Sequence, residues 1–163
     1  MEVVATSLIA VLGTLLGSAL THLFQRRTAL RTERFTRDEQ LRRERIDAYC
    51  AYAGALANYR RGQLDFWFAR HDLRSGEEGS VTELRRETER SRTAAMEAMF
   101  RSELLTHSAA LDALGREALK AADRIHGARS REELESLRDT SRSLIYEFVA
   151  ASRLHIPGLY VDQ

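Results

Sequence analysis

The feature that most constrains this 163-residue chain is a run of 22 residues, Val3 to Phe24, that contains no Asp, Glu, Lys or Arg. As a helix rising 1.5 Å per residue it would be about 33 Å long, enough to cross the hydrocarbon core of a bilayer. Its one titratable side chain, His22, lies at the end where a head group can solvate it. A cleaved signal peptide carries its positive charge ahead of the apolar stretch. Here the chain opens Met1-Glu2-Val3-Val4 and the charge follows, at Arg26, Arg27, Arg31 and Arg34, so the "GSA" at residues 17–19 lacks the basic region a cleavage site needs. A soluble helix apolar on all sides requires partner helices all round it, and the remaining sequence has too few apolar segments to provide them. The run predicts a single-pass span in the cell membrane. Arginines beside a span stay cytoplasmic, which sets the N-terminus outside and the C-terminus inside.

Within that run, "LGTLLGSAL" places Gly13 and Gly17 four residues apart, although glycine weakens a helix by about 1 kcal/mol relative to alanine. Lipid gives helices no hydrophobic reason to associate, and small residues compensate by letting backbones approach closely. Gly13, Gly17 and Thr21 form one such row, and Ala10, Thr14 and Ser18 form its neighbour. The expectation is a homo-oligomer assembled through the span. Arg26, Arg27 and Arg31 follow closely enough to meet anionic head groups, each contributing about 1 kcal/mol within a Debye length of about 8 Å.

Composition hides an asymmetry. The formal charge is +1, yet residues 25–61 carry ten Arg against five acids and residues 62–163 carry 15 basic against 18 acidic residues. Residues 25–45 hold eight of those Arg, interleaved with Glu33, Asp38, Glu39 and Glu44, and only Leu30, Phe35 and Leu41 as large apolar side chains. With no Gly or Pro between Ser18 and Ala53, this segment reads as a solvated helical stalk supported by i,i+3 and i,i+4 pairs. Its arginines could also contact phosphates, since non-specific nucleic-acid binding needs little beyond positive charge. Contact with nucleic acid ranks third, behind lipid head groups and a solvated face.

Beyond the stalk the chain is all-α. It has one proline, Pro157, and an abundance of Ala, Arg, Glu and Leu. Ile46, Tyr49, Ala53, Leu56, Leu64 and Trp67 recur at helical spacing, and "RSGEEGS" at 74–80 reads as a turn. Ser80 with Glu83, and Ser130 with Glu133, have the spacing of capping boxes. The second helix is expected from about Val81 through Leu84, Ala95, Met99 and Leu104. Its stripe is weak where Thr88, Ser91 and Arg92 replace leucines, leaving a flank for arginine stems or another subunit to cover. A break at residues 106–108 precedes a third helix with Leu111, Leu114, Ala118, Ala121, Ala122 and Ile125 on one side, closed by Gly127 as a left-handed cap. The last helix carries Leu134, Leu137, Ser141, Leu144, Phe148 and Ala151. The expected organisation is a transmembrane helix over 1–24, a basic stalk over 25–45, a cytoplasmic bundle over 46–155 and a tail over 156–163. The bundle is an antiparallel hairpin or has three to four helices.

Chemistry-bearing motifs are missing. The sequence contains no H-E-x-x-H, no G-x-S-x-G and no glycine-rich phosphate loop, and its single cysteine, Cys50, has no partner. Glu103 with His107 and Asp123 with His126 can each share a helix face, but read as ordinary hydrogen-bonded pairs. No catalytic, cofactor or metal residues are expected, and no enzyme. "DFWFARH" puts Phe66, Trp67 and Phe68 on adjacent helical positions spanning about 200° of the circumference, too wide for one narrow stripe. They form either a broad core or an aromatic contact for a protein partner.

The order of the apolar "SLIAVLGTLLGSALTHLFQRR", the charged "RTERFTRDEQLRRERIDAYCAYAGALANYRRGQLDFW" and a helical tail ending around "LRDTSRSLIYEFVAASRL" resembles the KilB family, membrane proteins of actinobacterial conjugative plasmids associated with plasmid spread. The resemblance implies a membrane-associated role in spreading a DNA element and carries no active site with it. The resulting expectation is a non-enzymatic bitopic protein that self-associates and presents a cytoplasmic helical domain to protein partners. The alternatives are a pore-forming or toxic membrane protein and a membrane-anchored DNA adaptor.

Overall fold

The computed structural model describes the backbone of residues 2–71 and 78–157, with side chains for residue 25, residues 32–71, residue 79 and residues 81–157. Four α-helices occur among the described residues: α1 (Glu2–His71), α2 (Glu78–Leu105), α3 (Ala109–Arg124) and α4 (Arg131–Ser152), with 3₁₀ turns at Ile125–Gly127 and Arg153–His155. No strand occurs among the described residues. The all-α reading therefore holds. Residues 1–41 and 42–163 form two separate units. In the first, the backbone is helical from residue 2, and a Glu33–Arg37 ion pair lies on an exposed face. No helix among the described residues is long and apolar enough to cross a membrane. The side chains of residues 2–24, on which the expected span rests, lie outside those described, as do those of Arg26, Arg27 and Arg31.

In the second unit, contacts along α1 fix the topology. Tyr49 meets Thr106 at the end of α2, and Gly62 meets Thr88 near its start, so these two helices are antiparallel. Tyr52 reaches Gly115, Tyr59 reaches Asp123 and Trp67 reaches Ala128, so α3 runs parallel to α1. Arg45 contacts His155 and Arg60 contacts Ser141, which makes α4 antiparallel. The result is an up-down-up-down four-helix bundle, the arrangement short connections favour.

The α1 seam runs Tyr49, Tyr52, Leu56, Tyr59, Gln63, Trp67, all buried. This is the 3-4 spacing of a bundle core, shifted from the expected stripe: Tyr49, Leu56 and Trp67 belong to it, whereas Ile46, Ala53 and Leu64 are half-buried beside it. The seam was obscured by its polar tips. Each buried hydroxyl or indole N–H has a partner, as burial demands: Tyr49 Oη lies 2.6 Å from Thr106 Oγ1, Tyr52 donates to Gly115 O at 2.7 Å and Trp67 Nε1 to Ala128 O at 2.8 Å. Phe148 of α4 packs edge-on against both Tyr49 and Tyr52, at 6.3 and 5.1 Å between centroids. Gly115 makes this possible, since a Cβ there would sit 3.1 Å from Tyr52 Cε1 and 3.4 Å from Phe148 Cε2.

Helix ends follow local chemistry. Ser108 caps α3 by accepting from Leu111 N, within the expected 106–108 break. Ser130 caps α4 by accepting from Glu133 N at 3.1 Å while the Glu133 carboxylate accepts from Arg129 N at 2.8 Å. Three boundary expectations need correction. Helix α2 begins at Glu78, so Ser80 lies inside its first turn and not at its cap. Gly127 ends α3 in a 3₁₀ turn, with Ala128 N donating to Ile125 O, and has no left-handed backbone. Leu104, placed on the core stripe of α2, is 82% exposed, because the seam of that helix passes through Ala95, Met99 and Ser102 instead, with Thr106 buried just beyond its end.

Candidate functional site

A groove of about 350 Å³ opens between the second half of α1, the first half of α2 and the end of α3. Its position follows from the sequence. On α2 the positions that would face α1 and α3 here are Thr88 and Arg92, and polar side chains cannot close an apolar seam. Thr88 instead donates its hydroxyl to Leu84 O at 2.7 Å and to Gly62 O at 3.2 Å. A Cβ at residue 62 would meet Thr88 Oγ1 at 3.2 Å, so the glycine lets the two helices approach there. Arg92 Nε donates to Asp123 Oδ1 at 3.2 Å.

Asp123 is the hub of the groove floor. It also accepts the Tyr59 hydroxyl proton, and Tyr59 in turn accepts from Gln63 Nε2 at 2.5 Å. Burial, reinforced by the Asp123 carboxylate, pushes the Tyr59 phenol above its ordinary value. The hydrogen bond to Asp123 and its charge push the Arg92 guanidinium up, against the opposing effect of burial. Both shifts favour a protonated phenol and a charged arginine facing one carboxylate. The rim carries Phe66, Arg70, Arg85 and His126.

The expected carboxylate–histidine pairs are committed elsewhere. Asp123 binds Tyr59 and Arg92, and Glu103 is held by Arg116 in a two-point contact of 2.7 and 2.9 Å. No group of three or more metal-ligating side chains occurs among the described residues. The geometry supports hydrogen bonding and ion pairing.

The three aromatics separate. Trp67 is 6% exposed, stacks on His71 at 4.0 Å, meets Phe68 edge-on at 5.3 Å and belongs to a cluster with Ile125, Ala128 and Leu134. Phe68 packs against the same cluster, whereas Phe66 faces the groove. The three rings do not share one face, because adjacent helical positions diverge and Trp67 takes the core. The span residues Ala10, Gly13, Thr14, Gly17, Ser18 and Thr21 lie outside the described side chains. Sequence reasoning missed Tyr59, Gln63 and Asp123 as a unit; the signal available was the 3-4 spacing of Tyr49, Tyr52, Leu56, Tyr59 and Gln63.

Fold and groove define a helical-bundle protein with a polar groove between α1, α2 and α3. Residues 46–156 match the KilB plasmid transfer protein family, and this chain belongs to that family. Protein KilB of Streptomyces lividans is 46% identical over 69 residues, an alignment spanning 42% of this chain and 42% of that relative. No solved structure matches.

Proposed function

We propose that this chain is a non-enzymatic, single-pass membrane protein of plasmid spread that self-associates through its apolar N-terminal segment and presents the four-helix bundle to cytoplasmic partners. The observation that carries the reading is that the plasmid-transfer family match, 46–156, coincides with the bundle. The uncharged run Val3–Phe24, followed closely by Arg26, Arg27, Arg31 and Arg34, supports the anchor and its orientation.

Cys50 supplies the test. It is the single cysteine and its side chain is exposed. Full-length protein in intact spheroplasts is expected to resist a membrane-impermeant maleimide and to react once the membrane is permeabilised, while remaining in the pellet after carbonate extraction. Labelling in intact spheroplasts overturns the orientation, and release by carbonate overturns the anchor. Self-association is tested in a membrane-insertion association assay, where Gly13→Leu combined with Gly17→Leu is expected to abolish the signal.

A further inference from the structure

We propose that the α1–α2–α3 groove binds a small phosphate monoester carried on a flat ring, the chemical class of a mononucleotide. Its volume, about 350 Å³, lies within the range of small-ligand sites. The argument is a surplus of donors. Arg70 and Arg85 both line the groove, and neither has an ion pair or hydrogen bond among the described residues. Arg92 uses Nε on Asp123 and keeps both Nη groups for something else. Against these three guanidiniums the groove sets two carboxylates, Glu89 and Asp123, and Asp123 is already taken by Tyr59 and Arg92.

Guanidiniums recognise phosphate by forked, charge-assisted hydrogen bonds, which makes a phosphate the anion best matched to a groove lined by several arginines. Phe66 adds the second half of the recognition. It is half-buried where it lines the groove, and its ring gives a flat apolar group a surface to stack on. A bare inorganic anion would leave that surface unused.

The test is calorimetric titration of the full chain, purified in detergent, with AMP, adenosine and inorganic phosphate as probes. AMP is expected to bind saturably with one site per chain, and adenosine and phosphate each at least about tenfold more weakly. Arg70→Ala with Arg85→Ala should lower AMP affinity by about tenfold or more, as loss of charge-assisted bonds implies, without changing the melting temperature. Phe66→Ala should weaken AMP and leave phosphate binding unchanged. Arg142→Ala, on α4 and away from the groove, should change neither. Absence of saturable AMP binding at millimolar concentration, or an equal loss in Arg142→Ala, overturns the proposal. Because binding is read on solubilised protein, its failure is distinct from failure of the membrane reading.

Discussion

The two ends of the bundle are built differently. At the end where α1 enters, the core draws on all four helices: Tyr49, Tyr52 and Leu56 from α1, Ala95 and Met99 from α2, Leu111 and Ala118 from α3, and Phe148 from α4. At the opposite end the buried cluster is Trp67, Ile125, Ala128 and Leu134, flanked by Leu64, Phe68 and Leu137, and none of these described residues comes from α2. Its first half is tied on by Thr88 and Arg92, through hydrogen bonds and one partly exposed ion pair. One helix thus changes from a packed element to a polar strap along its length, and the groove occupies the place where its apolar stripe stops.

The sharpest way to probe this contrast is Phe148→Ala. Phe148 is 1% exposed and touches both tyrosines, and truncation should destabilise the bundle by about 3–5 kcal/mol in denaturant unfolding. A loss below about 1 kcal/mol would show that the four-helix end is not the main source of stability. Tyr59→Phe comes next, because it strips partners from Gln63 and Asp123 at the boundary of the two ends; about 1–3 kcal/mol is expected in the same measurement. Thr88→Val removes the hydroxyl that reaches Gly62, and should lower stability by about 1 kcal/mol while leaving the α3–α4 contacts intact.

Hydrogen exchange reads the contrast without mutation. Amides of residues 84–92 are expected to exchange faster than those of 95–105, since fewer apolar contacts oppose local opening there. Equal protection would mean that the polar strap holds as firmly as the packed half. The smallest effect is alkaline. The Tyr52 and Tyr59 phenols are pushed above their ordinary value, Tyr52 by burial and then by Glu103, Tyr59 by burial and then by Asp123. The folded state therefore holds protons that the unfolded chain loses near about pH 10, so this contribution is complete below that pH and declines above it. Tyr52→Phe should flatten the decline in a pH series of melting temperatures.

What could be read beforehand divides along the same line. The stripes of α3 and α4 were legible because leucine, isoleucine, phenylalanine and alanine mark them: Leu111, Ala118, Ala122, Ile125, Leu134 and Phe148 are all buried. The α1 seam was blurred because Tyr52, Tyr59 and Gln63 bury polar tips, which only a partner on another helix can justify. Thr88 and Arg92 registered as gaps in a stripe. That they bind Gly62 and Asp123 depends on residues 26 and 31 positions away, and spacing along one helix carries no record of such partners.

One contact gives the bundle a mechanical property. Arg45 donates from Nε to Leu105 O at 2.9 Å and from Nη1 to His155 O at 3.1 Å, joining the C-terminal end of α2 and the 3₁₀ turn after α4 to α1. Carbonyls at a helix C-terminus lack intrahelical partners and carry partial negative charge, so one guanidinium serves two of them. Tension arriving along α1 meets this fork before it reaches the tyrosine ladder, and is divided among three helices in shear. In single-molecule pulling from the N-terminal side, Arg45→Ala should lower the rupture force of the bundle.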